Sequence, residues 1–247
     1  YYPMFGGSYD GTRIRSLAGQ TLMYNTNAST EITRAKANGN GWNIGSWSKR
    51  NLLDCMLKIM SKTDNSQTAF GQGQTSGYVN DASQNYGHLA TGTLTNKGQF
   101  FGYTSTTQAV KVFYCENFFA NYWKRLRGLL LINGVYHVKA VPPYNSTGAG
   151  YTNTGLTPSG TSGGYCSRME MASDIGRIPT VASGSETTYE CDGLWFNNTI
   201  VAVALFGGYR GGGSGCGLSY WYVNIPATSV STSIVASLSC KPPVAAA

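Results

Sequence analysis

The segment from Phe206 to Ser237 is the most restrictive feature of this sequence. It contains one charged residue, Arg210, and no Lys, Glu, Asp, Gln, His or Met. It combines Tyr and Trp with Gly, Ser, Asn and Thr, the mixture that evolved binding loops use. Glycines at 211–213 permit tight bends, whereas Tyr220 and Tyr222 offer rigid, half-polar contact area. Two structures fit this composition: a contact surface, or an aromatic strand that follows a glycine turn in a β-rich core.

The composition of the whole chain predicts one loop-rich and strand-rich domain. Of the 247 residues, 41% are hydrophobic, which suffices for a sizeable core. Only 12% are charged, and there are 32 Gly and 17 Tyr, which is unlike a helical bundle. The net charge of +7 is spread in twos and threes, so we expect no nucleic-acid partner. No apolar run approaches the roughly 20 residues of a membrane span, so we expect no membrane insertion.

Cysteine and histidine spacing predicts no metal site. The six cysteines form no CxxC pair, and the only histidines are His88 and His137. Zinc spacing is therefore absent, and we expect reduced, buried cysteines. One dense group of oxygen ligands exists, but it lacks EF-hand spacing and is interpreted as a polar loop ahead of a core anchor, Trp195. That group consists of Glu186, Glu190, Asp192, Asn197 and Asn198.

No residue is predicted to be catalytic. A hydrolytic triad would need His88 or His137, and no GxSxG motif accompanies either one. The spacing of the carboxylates indicates no pair suited to glycoside hydrolysis.

Local patterns predict two helices and a hairpin. Helical spacing between Trp47 and Lys62 places Leu52, Leu53, Met56, Leu57 and Met60 on one apolar side and Lys49, Arg50, Asp54, Lys58 and Ser61 on the other. A shorter helix is expected from Ser29 to Ala37, capped by Ser29 or Thr30, and a third short helix or turn around 168–175. Asn133-Gly134 predicts a hairpin turn, and 63–99 and 142–164 are expected to be long polar loops.

The run CENFFANYWKRLRG, at 115–128, resembles a signature of C-type lectin-like domains of the formylglycine-generating-enzyme type, EN-x-WGN-x-WxW. Glu116, Asn117, Asn121 and Trp123 match it. The chain departs from the signature in three places, which are Phe119, Ala120 and Arg125. The signature marks a fold and implies no activity.

The C-terminal half resembles the variable proteins of diversity-generating retroelements. The resemblance rests on SGSETTYECDGLWFNN, VALFGG, the glycine-rich aromatic stretch and LSCKPP, and it runs from about residue 12 to 243. In that family a reverse transcriptase randomises template adenines. Randomised AAC or AAT codons cannot give Lys, Glu, Gln, Met or Trp. The first four are absent from 206–237, and Trp221 is its only Trp.

The resemblance implies an α+β, C-type lectin-like fold with two helices, an antiparallel sheet core and extensive irregular loops. The domain is expected to span 1–247, with a variable region at about 206–237 and with residues 1–11 as the end of a preceding segment. Variable, ligand-binding positions are expected at Tyr209, Arg210, Gly211, Gly215, Ser219, Tyr220, Tyr222, Asn224, Ile225, Val230 and Thr232. Frame positions are expected at Gly207, Gly208, Ser214, Gly217, Ala236 and Leu238.

The function implied by the resemblance is receptor binding by a phage or prophage protein at a tail-fibre tip. Its partner would be a bacterial surface protein or glycan. The protein would be a homo-oligomer, a trimer by family analogy, located in the virion or, before assembly, in the bacterial cytoplasm. It would need no cofactor or metal and would not be an enzyme. Replacing Arg210, Tyr220 and Tyr222 by Ala is expected to abolish adsorption and leave stability nearly unchanged.

Two alternatives remain open at this point. An enzyme of the formylglycine-generating kind would bring Cys216 and Cys240 together in a cleft. A structural virion protein would bury the residues from Tyr209 to Tyr222.

Overall fold

The computed structural model describes residues 1–241 and shows mixed helix and strand content, as predicted. The ends of the predicted domain, at 247, and of the resemblance, at 243, lie outside the described residues. The α-helices are α1 (Ala28–Lys36), α2 (Trp47–Ser61) and α3 (Ser66–Phe70), with 3-10 helices at Ala82–Gly87 and Gly213–Gly215. The strands are β1 (Ser8–Tyr9), β2 (Ile14–Arg15), β3 (Trp42–Asn43), β4 (Lys111–Val112), β5 (Cys115–Glu116), β6 (Trp123–Ile132), β7 (Val135–Val138), β8 (Thr152–Asn153), β9 (Ser159–Gly160), β10 (Gly164–Ala172), β11 (Gly176–Gly184), β12 (Gly193–Phe196), β13 (Val201–Phe206), β14 (Trp221–Ile225), β15 (Ile234–Val235) and β16 (Ser239–Cys240).

One mixed sheet dominates the molecule. Its strand order is β8-β7-β6-β13-β14-β12-β10-β11-β9, and β15 pairs with β6 off this path. Most neighbours are antiparallel, but β12 with β14, β9 with β11 and β6 with β15 are parallel. The expected antiparallel core is therefore mostly antiparallel, with three parallel pairs among the described strands. The parallel β12–β14 pairing brings the segment around 195 beside the aromatic strand, which the sequence order alone does not indicate.

The predicted hairpin is confirmed between β6 and β7. Asn133 and Gly134 both have positive φ, 47° and 85°, as a type I′ turn requires. The turn fixes the register that pairs Leu131 with Tyr136. Both of these side chains are fully buried in the largest hydrophobic cluster.

Helix α2 is confirmed, and most of its apolar side faces outward. The face against the protein carries Arg50, Asn51 and Asp54, together with Trp47 and Leu57. The outer face instead exposes apolar side chains by large fractions, which are Leu52 62%, Met56 43%, Ile59 77% and Met60 53%. Helical periodicity tells which residues share a face, and here ion pairs and aromatic rings make the polar face the buried one.

Arg50 explains how the polar face of α2 can be buried. Its Nε lies 2.8 Å from Asp54 Oδ1, and its guanidinium lies 3.8 Å from the ring centroid of Phe118 and 3.9 Å from that of Phe206. The charge is therefore paired and covered by two aromatic faces. An arginine in this setting is a stable core residue.

Other elements differ in detail from the sequence prediction. Helix α1 begins one residue early because Asn27, and neither Ser29 nor Thr30, caps it: Asn27 Oδ1 accepts from the Thr30 amide at 2.9 Å. Of the short helix or turn expected at 168–175, the structure has the turn, at 173–175, whereas 168–172 belong to β10, which pairs with β11. The expected loop 63–99 contains α3 and a 3-10 helix, both too short to leave a periodic signal.

The first eleven residues belong to the same fold. Strand β1 pairs with β2, the Gly7 amide donates to the Ala236 carbonyl at 2.9 Å, and the Glu116 amide donates to the Met4 carbonyl at 2.7 Å. These contacts join residues 1–11 to the rest of the domain. All six cysteines are free, as predicted. Within residues 1–241 no helix is long and apolar enough to cross a membrane.

Candidate binding groove

A groove of about 720 Å³ opens beside β14, and none of the described residues that line it carries a charged side chain. Its walls come from β12, β13 and β14, the glycine turn after β13 and the loop 229–234. Aromatic rings dominate the lining, and we call the site the aromatic groove. The rings belong to Tyr78, Trp123, Tyr165, Trp195, Tyr209, Tyr220 and Tyr222.

Trp123 is the centre of this aromatic packing. Its ring centroid lies 4.7 Å from that of Tyr220 and 5.2 Å from that of Tyr222, and it stacks with Tyr209 at 6.0 Å. Trp123 itself is only 6% exposed. Edge-to-face and stacked contacts of this kind hold the rings in one arrangement, so the groove is formed before any ligand arrives.

Trp195 contributes to the wall of the groove, where the sequence had predicted a core anchor. Its side chain is 38% exposed, and its Nε1 donates to the Tyr220 hydroxyl at 2.9 Å. The pairing of β12 with β14 sets Trp195 directly beside Tyr222. Nothing in the sequence marked Tyr78 or Tyr165 as neighbours of this site, because both lie far from β14 along the chain.

Most of the predicted variable positions meet in the aromatic groove. Tyr209 and Tyr222 are half-buried, and Gly211 and Val230 are exposed. Tyr220 is 6% exposed but still lines the groove, and burial raises the pKa of its hydroxyl well above the usual range. The predicted positions that line the groove are Tyr209, Gly211, Gly215, Tyr220, Tyr222, Ile225 and Val230.

Arg210 is not a surface residue. It is fully buried, and its guanidinium donates to the main-chain carbonyls of Tyr86, of Asn121 at 3.2 Å and of Thr232 at 3.4 Å. Burial lowers the pKa of Arg210 to about 10, so the side chain stays charged at neutral pH. The expectation that Arg210 contacts a ligand is therefore corrected: it joins loops beneath the groove.

Ser219 is also buried, so the expectation that it contacts a ligand is corrected in the same way. Its amide donates to Asp192 Oδ2 at 2.7 Å, and its hydroxyl donates to Glu190 Oε2 at 3.0 Å. Asp192 is fully enclosed, and burial raises the pKa of its carboxyl well above the usual range. These two acids hold the turn that precedes β14. Of the remaining predicted positions, Asn224 and Thr232 are half-buried and do not line the groove.

His88 ties the first long loop to the segment at Thr232, and this contact predicts acid sensitivity. Its Nε2 donates to the Thr232 carbonyl at 2.7 Å, and the residue is 7% exposed. Burial, with Arg210 nearby, lowers the pKa of His88 from 6.5 to about 4. The folded state thus binds fewer protons than the unfolded chain between these values, and stability falls as the pH falls.

We expect the titration of His88 to lower the free energy of unfolding by up to about 3 kcal/mol as the pH drops from 7 to 4. Buried acids such as Glu31 titrate in the opposite sense, so the comparison must be made against a variant. His88→Gln keeps a donor for Thr232 and removes the titration. Urea unfolding at several pH values should show the wild type losing more stability than His88→Gln. Parallel curves would contradict the prediction.

The two cysteines of the enzyme alternative lie in different parts of the molecule. Cys216 is fully buried in the hydrophobic cluster behind the groove, and burial raises its pKa to about 12. Cys240 pairs with Trp42 in a separate two-stranded sheet. Across residues 1–241, no three His, Cys, Asp or Glu side chains are grouped as metal ligands.

A scan against protein-family models finds no match to this chain, and a search of curated proteins finds none either.

Proposed function

We propose that this protein is a receptor-binding protein of the retroelement-diversified type, with a C-type lectin-like fold, and that the aromatic groove is its contact surface. The partner is a bacterial surface protein or glycan, and the protein acts at a phage tail tip without catalysis. The observation that carries the proposal is the gathering of seven predicted variable positions in one uncharged, aromatic groove.

The chemistry of the groove supports recognition. Tyr and Trp give large rigid contact area at low conformational cost, and Ser229, Ser231 and Ser233 supply hydroxyls along one wall. The alternative of a structural virion protein requires burial from Tyr209 to Tyr222. Arg210 and residues 215–221 are buried, whereas Gly211, Gly213 and Ser214 are exposed and Tyr209 and Tyr222 are half-buried. The proposed contact role therefore falls to the turn at 211–214 and to these two rings.

The proposed assembly is a homo-oligomer, a trimer by family analogy. The exposed apolar side chains of Leu52, Met56, Ile59 and Met60 on α2 support self-association, since contiguous apolar patches mark interaction sites. Repetition of the groove on a multimer would let modest affinity per domain suffice. Light scattering of the purified protein measures the assembly.

The proposed origin of the variable region has a direct genetic test. The DNA around the gene should carry a near-copy of the codons for 206–237 that differs only at adenines, beside a reverse transcriptase gene. Codons for Gly207, Gly208 and Gly217 should be unchanged between the two copies. If no such copy exists, the chain is an ordinary binding module and the retroelement part of the proposal is wrong.

Removing two rings should abolish recognition while the fold survives. We expect Tyr209→Ala with Tyr222→Ala to reduce binding at least about 100-fold, because each is a half-buried aromatic contact at the centre of the site. Binding is measured as retention of fluorescent protein on a panel of intact bacteria and on a glycan array. A matched control is Tyr103→Ala with Tyr189→Ala, since both tyrosines are exposed away from the groove. Equal binding of the two double variants would overturn the proposed site.

A further inference from the structure

A second groove, of about 790 Å³, has the opposite electrostatic character. It lies between the segment that joins α1 to α2 and the loop at 140–144, with the C-terminal strand β16 at one side. Four cationic residues line it, Lys36, Lys49, Arg127 and Lys241, and among residues 1–241 no carboxylate does. We call this site the basic groove. It shares no lining residue with the aromatic groove.

Arg127 is the unusual residue of the basic groove. It projects from β6 and is only 8% exposed. Among the described residues, its guanidinium has neither an ion pair nor a hydrogen-bond partner, and its Nε is fully enclosed. Unlike Arg127, the buried Arg50 and Arg125 each pair with a carboxylate, and the buried Arg210 donates to main-chain carbonyls.

An enclosed and unpaired charge is costly, so the state of Arg127 needs a reason. Burial lowers its pKa, and the guanidinium remains a cation at neutral pH. An oxyanion that entered the groove would supply the missing partner. The planar fork of arginine matches a carboxylate in two parallel hydrogen bonds, and such charge-assisted pairs are the strongest in proteins.

The neighbours of Arg127 add charge and flat surface. Lys49 is half-buried, with its Nζ 3.2 Å from Ser239 Oγ, and burial lowers its pKa. Lys36 is exposed at the end of α1. Trp42 and Tyr144 also line the groove, and the Tyr144 hydroxyl is held by the Ala140 carbonyl at 2.9 Å.

We propose that the basic groove binds an acidic saccharide, with the sugar carboxylate on Arg127 and the sugar ring against Trp42 and Tyr144. The volume fits a disaccharide better than a polymer. The cations converge on one pocket and form no stripe with a series of stacking rings, which disfavours a nucleic-acid strand. This site is independent of the proposed role of the aromatic groove.

The test uses a pair of ligands that differ only in the carboxylate, cellobiouronic acid and cellobiose. Isothermal titration calorimetry on the purified chain should show the acid binding at least about tenfold more tightly than the neutral sugar. Arg127→Gln should lower the affinity for cellobiouronic acid at least about tenfold, and Lys36→Gln should lower it about threefold. A higher salt concentration should lower this affinity further.

Two controls separate this site from general charge effects. Arg168 lies outside the basic groove, and its side chain is 61% exposed. Arg168→Gln removes the same charge as Arg127→Gln and should leave the affinity for cellobiouronic acid unchanged. The variant Tyr209→Ala with Tyr222→Ala should also bind the acid normally. If Arg127→Gln does not fold, Lys36→Gln with Lys49→Gln replaces it, since neither lysine is fully buried.

The proposal is overturned by any of three results. These are equal affinity for the two sugars, tighter binding of inorganic phosphate or of a hexanucleotide than of the acid, and unchanged affinity in the folded Arg127 or Lys36–Lys49 variants. The proposal is supported if only these variants lose affinity for cellobiouronic acid and both control variants keep it.

Discussion

Replacement of Arg210 by Ala is expected to lower the free energy of unfolding by about 3–5 kcal/mol. The side chain is fully buried and donates to three main-chain carbonyls, those of Tyr86, Asn121 and Thr232. Alanine leaves the Tyr86 carbonyl without its donor and opens a cavity. The other two carbonyls each keep one donor, since the main-chain amide of residue 210 binds the Asn121 carbonyl and His88 binds the Thr232 carbonyl. Urea denaturation at pH 7 measures the change.

The matched control is Arg168→Ala, which removes an arginine with a 61% exposed side chain and should change stability by less than about 0.5 kcal/mol. Under the sequence-based view of Arg210 as a contact residue, both variants would be equally stable. That outcome would contradict the buried position. Loss of binding by the Arg210 variant is therefore no evidence for a contact, because the loops beneath the groove open with it.

Gly208→Ala is expected to lower the free energy of unfolding by about 3 kcal/mol, because it combines backbone strain with overpacking. Gly208 has a φ of +85°, and a Cβ there would stand 2.3 Å from Cys216 Sγ and 2.9 Å from Tyr220 Cδ1. The new methyl group has no space, and the displaced groups form the back wall of the aromatic groove. Both stability and ligand binding should fall.

Gly211→Ala is the matched control, because it adds the same methyl group three residues further along the chain. Gly211 is exposed and its φ lies outside the left-handed region, and the three atoms nearest to an added Cβ all belong to the side chain of Tyr209, at 2.8–3.0 Å, so a shift of that half-buried side chain relieves the contact. We expect a cost below about 1 kcal/mol. The stability of these two variants thus distinguishes a frame glycine from a variable one without a binding measurement. Equal losses of unfolding free energy at both positions would show that the assignment of frame and variable glycines is wrong.

Local signals in the sequence predicted local structure well. Asn133-Gly134 fixed a hairpin, because its two positive φ angles suit few other residues, and the periodicity of 47–61 gave α2 almost to the residue. The orientation of α2 was not predictable, because it depends on Phe118 and Phe206, whose rings cover Arg50 from distant parts of the chain.

The candidate site shows the same division. A skewed composition identified Tyr209, Tyr220 and Tyr222 as a group, and their rings meet around Trp123. Composition says nothing about which way each side chain points, so Arg210 was placed on the wrong side. Trp195 was missed as a wall residue because its place follows from the parallel pairing of β12 with β14, a long-range contact.

The position of Arg210 also bears on how the irregular part of the molecule moves. Its three carbonyl partners belong to chain segments that are far apart in sequence, and His88 adds a further bond to one of them. Segments joined through one side chain open together and not one by one. Amide protons around 86, 121 and 232 should therefore exchange with solvent as a single cooperative unit, in spite of the near absence of regular secondary structure that connects them.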